Sequence, residues 1–140
     1  MKDKNNFQTN RIHILKLNPN QDLKLSIKKY IKKNKIQAGI ILTCVGSLKK
    51  ATIRLAEENI KNFSEKFEII SLSGTLSPDG VHLHISLADK KGKIIGGHLK
   101  ENCLINTTAE IIIMEILNFH FKRKHDKNTN YKELDFKKIK

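Results

Sequence analysis

At 140 residues the chain has the length of one domain, able to bury roughly two-thirds of its unfolded surface. Its apolar content of 39%, with no Trp, leaves Ile, Leu and a few Phe to build the core; no apolar run approaches the ~18 residues of a membrane-crossing helix, and Cys44 and Cys103 lack the spacing of a disulfide framework. The formal charge of +13 sits at the two ends: residues 1–36 hold ten Lys/Arg against Asp3 and Asp22, residues 120–140 hold eight against Asp126, Glu133 and Asp135, and residues 37–119 hold nine of each sign.

In chain order, MKDKNNFQTN is polar and has no apolar h-region. It reads as a flexible arm over residues 1–10 preceding a domain over 11–140, not as a secretory signal, so the cytoplasm is the expected location. Arg11 to Leu17 alternates and predicts a first strand. Asn18-Pro19-Asn20 signals a turn, and Asp22 is well placed to open a helix. Leu23, Ile27, Tyr30 and Ile31 then mark one helical face, with Lys24, Lys28, Lys29, Lys32 and Lys33 on the other. Ala38 to Val45 predicts a buried strand broken at Gly46-Ser47, and Ala51 to Leu55 a second one. Ala56 to Asn62 is polar enough for a loop or a short turn of helix.

Phe67 to Thr75 is strand-like, and Ser77-Pro78-Asp79-Gly80 is a strong turn. Val81 to Ala88 and Lys93 to Leu99 predict a hairpin closed around Asp89-Lys90-Lys91-Gly92. Leu104 to Leu117 is rich in β-branched residues and predicts a long strand. Lys122 to Lys140 reads as a charged, Asn-rich tail with Tyr131, Leu134, Phe136 and Ile139 as anchors.

The chemistry concentrates between Gly74 and Ile113. His82 and His84 alternate with apolar residues, so in a strand both rings leave one face. His98 follows Gly96-Gly97. If Ala88 pairs with Lys93, His98 faces away from His84; a loop one residue longer, or a bulge at the glycines, brings it onto the same face. Three neutral imidazoles suit zinc and leave a fourth position open. Glu110 could add a carboxylate, and Cys103 a thiolate if its loop folds back. Without a metal, such histidines serve as hydrogen-bonded core or interface residues. Glu110, inside an apolar strand, needs a partner, and Arg54 is the candidate. No nucleophile triad, phosphate loop or dinucleotide fingerprint is present.

The texts EKFEIISLSGTLSPDGVHLHISLAD and GKIIGGHLKENCLINTTAEIII resemble the plants-and-prokaryotes-conserved (PPC) domain, with weaker similarity over most of the remaining chain. The resemblance implies a compact α/β (α+β) domain, a mainly antiparallel sheet flanked by helices, assembled as a homotrimer. Some family members are also similar in holding a metal at these histidines. Plant members join the domain to an Arg-Gly-Arg-Pro AT-hook, which this chain does not contain. The plant partner-association stretch corresponds to Glu65–Ile70, where an ordinary sheet strand is the simpler reading. The leading expectation is thus a DNA-linked regulatory protein that binds nucleic acid non-specifically through Lys24, Lys28, Lys29, Lys32, Lys33, Lys122, Arg123 and Lys124. The rival is a zinc enzyme or small-ligand binder using His82, His84 and His98, supported by Glu110 and Arg54.

Overall fold

The computed structural model describes residues 9–139. The expected flexible arm falls largely outside the described residues. Strand β1 (Asn10–Leu17) leads to helix α1 (Leu23–Lys33), then β2 (Gly39–Arg54), β3 (Ile60–Phe63), β4 (Phe67–Ser77), β5 (Gly80–Ala88), β6 (Ile94–Leu99) and β7 (Leu104–Ile116). A C-terminal hairpin follows, β8 (Phe119–His125) and β9 (Lys132–Lys138). One α-helix, where flanking helices were expected, covers the sheet among the described residues.

Asp22 starts α1 as predicted: its carboxylate accepts from the Leu25 N–H at 2.9 Å, a typical N-cap contact. The second carboxylate oxygen accepts from Asn102 N–H at 2.6 Å and ties the helix start to the β6–β7 connection. Leu23, Ile27 and Ile31, at i, i+4 and i+8, are buried against the sheet, while Lys32 and Lys33 lie in the last turn, where the helix dipole favours cations.

All pairings are antiparallel, in the order β1-β7-β2-β4-β5-β6, with β3 on β2. The end of β2 also pairs with β6, through Ile53↔Leu99 and Arg54↔His98. The path β2-β4-β5-β6 therefore returns to β2 and closes. Leu48, Ile53, Leu76, Leu83, Ile85, Leu87 and Leu99 of these strands are fully buried in one core with Ile105 of β7.

Three further sequence expectations change here. Residues 60–62, expected in a loop or a short turn of helix, belong to β3 and pair with β2. Gly46-Ser47 does not end a strand: β2 runs unbroken for 16 residues, with irregularities in its pairing to β7. Gly46 is needed because β7 crosses so close that a Cβ there would stand 2.2 Å from Thr108 O. The signal taken for a break is a close backbone approach. The tail is likewise not a loose extension. Phe119, Phe121, Leu134 and Phe136 belong to a paired hairpin, with Phe121 opposite Phe136, docked through Phe121 N–H to Gln37 O at 2.9 Å.

Candidate metal centre and its cleft

The β5–β6 hairpin adopts the longer-loop register. Ala88 pairs with Ile94, and His84 stands opposite His98. Directly paired residues project to the same side, so His98, His84 and, two residues along β5, His82 meet on the outer surface of the closed sheet. The intervening Leu83, Ile85 and Leu99 point into the core. Ring centroids lie 5.0 Å apart for His82 and His84, 5.1 Å for His82 and His98, and 5.7 Å for His84 and His98. One ligand nitrogen from each ring falls within 4.8 Å of the others.

The row continues across the closure. Arg54 pairs with His98 and so flanks the cluster, while on the far side Thr75 pairs with His82. Gly97 permits this closure. A Cβ there would stand 2.5 Å from Arg54 O, so a side chain would push β6 away from β2.

The hairpin β8–β9 covers one side. Alternation along β8 leaves Lys122 and Lys124 exposed and turns Arg123 inward. Arg123 donates to Thr75 Oγ1, and its backbone N–H donates to Asp79 Oδ2 at 3.2 Å. Arg54 faces the Tyr131 ring, with Cζ 5.8 Å from the centroid, and pairs with Glu58 at 3.9 Å. Between barrel and hairpin lies a cleft of about 540 Å³, lined by His82, His98, Arg54, Lys100, Arg123 and Tyr131 among others, within the size range of small-ligand sites.

Burial, with Arg54 and other cations nearby, drives the His98 pKa down to about 4. Burial, Arg123 and His84 also lower that of His82. Both imidazoles are therefore neutral near pH 7, the form that binds metals. His98 Nδ1 and Arg123 Nε are buried without a hydrogen-bond partner.

The other sequence candidates separate. Glu110 is exposed on β7 between Lys16 of β1 and Val45 of β2; in strand order, β2 and β4 stand between it and β5. It does not pair with Arg54, because its register sets it opposite Val45, nine residues along β2 from Arg54. The buried carboxylate is Glu115, 2.8 Å from His13 Nε2 and 3.5 Å from Arg11. Cys103 is buried against Thr52 and does not join the group of side chains that could hold a metal with the histidines. Lys28, Lys29, Lys32 and Lys33 form an exposed face of α1, and Lys24 is half-buried. Arg123, expected on a nucleic-acid surface, belongs to the cleft. Lys100, Tyr131, Lys132 and Glu133 entered the site unpredicted; the alternation of Phe119 and Phe121, then Leu134 and Phe136, around Asp126–Asn130 was the signal for their hairpin.

A small antiparallel domain, closed through β2 and carrying three outward histidines, defines a class of fold with a candidate metal centre. The model of the Plants and Prokaryotes Conserved (PCC) domain matches residues 4–117, and the chain belongs to that family. It is 46% identical over 130 residues to a bifunctional protein GlmU of a Synechococcus strain, covering 92% of this chain and 21% of that relative. A protein of Salmonella enterica has a similar solved structure, with TM-score 0.90, 33% identity and coverage of 95% and 97% of the two chains. A metal-containing protein of Archaeoglobus fulgidus is similar at TM-score 0.78 and 26% identity, covering 91% and 94%. Among the described residues no helix is long and apolar enough to cross a membrane.

Proposed function

We propose that His82, His84 and His98 form a divalent-metal centre, with zinc as the matching ion, and that its open side holds a small molecule in the cleft. The observation that carries this is the convergence of three imidazole nitrogens within 4.8 Å, with His98 Nδ1 buried and unpartnered. Tetrahedral zinc at ~2.0–2.1 Å from each nitrogen needs neighbours about 3.4 Å apart, a spacing reached by small rotations of the rings. The metal content of the Archaeoglobus relative favours the same reading. Bound zinc would supply Lewis acidity and a more acidic water. The chain's own residues would fix its place: β5 and β6 present the rings, and Arg54 and Arg123 face the ligand side.

Elemental analysis of untagged protein tests the proposal. About one ion per chain is expected, lost in His84→Ala, as a site with three protein ligands requires. Absence of metal after chelator-free purification, with no zinc uptake on titration, would refute it.

Two further properties have their own support. The outer face of β1, β7 and β2 exposes Ile12, Ile14, Leu42 and Val45, beside the half-buried Ile112 and Met114. Such a contiguous apolar face suits burial between copies of the chain, and we assign it to the homotrimer. The lysine face of α1 and the exposed Lys122 and Lys124 suit non-specific nucleic-acid binding. Both groups border the Ser77–Gly80 turn, which adjoins Lys28, Lys29 and Lys32 on one side and carries Asp79, bonded to β8, on the other. A steep fall of DNA affinity with salt is expected; no binding at low salt would remove this reading.

A further inference from the structure

We propose that the cleft selects a small molecule carrying a phosphate group and that the C-terminal hairpin is its recognition element. The inference deepens the metal reading and rests on it for where the phosphate sits; the chain's own cations carry the argument for its charge.

Three imidazole ligands bring no negative charge to a dication, and Glu110, the expected carboxylate, is elsewhere. The cleft is lined by four cations, Arg54, Lys100, Arg123 and Lys132, against Glu133 and two other acids. Of the other acids at the cleft, Glu58 is exposed and turned to Arg54, and Asp79 accepts the Arg123 backbone N–H. A metal ion there is left with excess positive charge around it. An anion must complete the site, because uncompensated like charges in a partly desolvated cleft are costly.

The donor arrangement favours a phosphate over a single carboxylate. Arg54 stands on the barrel wall, Lys100 on the connection leaving β6, and Arg123 and Lys132 on the hairpin. Donors from opposed walls suit a tetrahedral dianion with several acceptor oxygens. Arg123 is poised for this role. One Nη is anchored to Thr75 and the Nε has no hydrogen-bond partner, so the guanidinium is held at the cleft wall with donors to spare for an oxyanion. Tyr131, 49% exposed and facing Arg54, offers an apolar surface for the rest of the ligand. The family match ends at residue 117. It thus contains the histidines and Arg54, whereas Arg123, Tyr131 and Lys132 lie beyond it.

The test uses the full chain loaded with cobalt(II), whose visible spectrum reports the ligands around the metal, titrated with inorganic phosphate and in parallel with acetate. Phosphate is expected to change the spectrum saturably and at lower concentration than acetate. Arg123→Gln should weaken phosphate binding about tenfold or more, the loss of a charge-assisted contact, and leave cobalt affinity unchanged. Arg123→Lys should restore part of it. A spectrum unmoved by phosphate, or wild-type phosphate binding in folded Arg123→Gln, overturns the inference. If cobalt does not bind, the metal reading fails separately, and backbone amide NMR shifts on adding phosphate decide the cleft. Shifts at Arg54, Lys100 and Arg123 then support it, and their absence overturns it.

Discussion

Replacing Gly97 by Ala asks whether the closure of β6 onto β2 holds the histidine cluster together. The new Cβ would lie 2.5 Å from Arg54 O and 3.3 Å from Arg54 C. An ordinary carbon contact is about 3.5 Å or more, so the strands must separate by several tenths of an ångström to about one. The obstructing atoms are backbone and cannot rotate away. Overpacking of this kind costs about 1–3 kcal/mol, or roughly 3–10 °C in melting temperature for a chain of this size. The closure has two residue pairs, Ile53↔Leu99 and Arg54↔His98, so the strain falls directly on His98. Metal sites tolerate about 0.2 Å in ligand distance, and zinc affinity should therefore fall along with stability. Thermal melts of the metal-free protein and competitive zinc titration measure the two effects. Gly92→Asn is the control, since nothing lies within 4 Å of its added Cβ and Asn tolerates a positive φ. Unchanged melting and zinc affinity in Gly97→Ala would refute the reasoning.

Other expectations follow from the same structure. His98 and His82 have pKa values depressed below 6.5, His98 to about 4, so the unfolded chain binds more protons between those values. The stability they contribute is complete above about pH 6.5 and is lost as pH falls toward 4; urea midpoints of metal-free protein should follow this, with a flatter profile in His98→Gln. A profile identical in the variant would count against the assignment. His13→Ala would strip the buried Glu115 of its 2.8 Å partner, costing about 1–3 kcal/mol in denaturant unfolding; a loss near zero would mean that water or Arg11 replaces it. Burial raises the thiol pKa values to about 12 for Cys44 and about 11 for Cys103. Both should be silent to a thiol reagent at neutral pH until the chain unfolds, and fast labelling of the native protein would contradict that. Val45 is 62% exposed on the outer apolar face, so Val45→Asp should lower the mass seen by analytical ultracentrifugation and cost the monomer little. An unaltered mass would move the contact elsewhere.

The histidine pair on β5 was legible because strand alternation needs no tertiary information. Helix α1 was legible for a similar reason: Asp22 and the i, i+4, i+8 apolar positions are local signals. Glu110 misled because apolar neighbours in a strand say nothing about which face meets the core. That choice belongs to register, and alternation put Ile111 and Ile113 inside and Glu110 outside. Gly46 misled because a glycine demanded by close approach of another strand looks the same in sequence as one that ends a strand. The β8–β9 hairpin was hidden among charges, its few apolar residues too sparse to outweigh them.

The residues by themselves determined the supply of chemistry: three imidazoles in a strand-forming segment, two isolated thiols, and a positive charge confined to the ends. They also predicted the hairpin of Val81–Ala88 with Lys93–Leu99, while the mainly antiparallel sheet as a whole was what the resemblance to the PPC domain implied. The tertiary structure decided the rest. It chose the hairpin register that sets His98 opposite His84, closed β6 onto β2 to bring in Arg54, and folded the tail back so that Arg123 faces the histidines. Each depends on contacts between residues far apart in the chain, and a one-residue shift in pairing would have sent the same side chains to the opposite face.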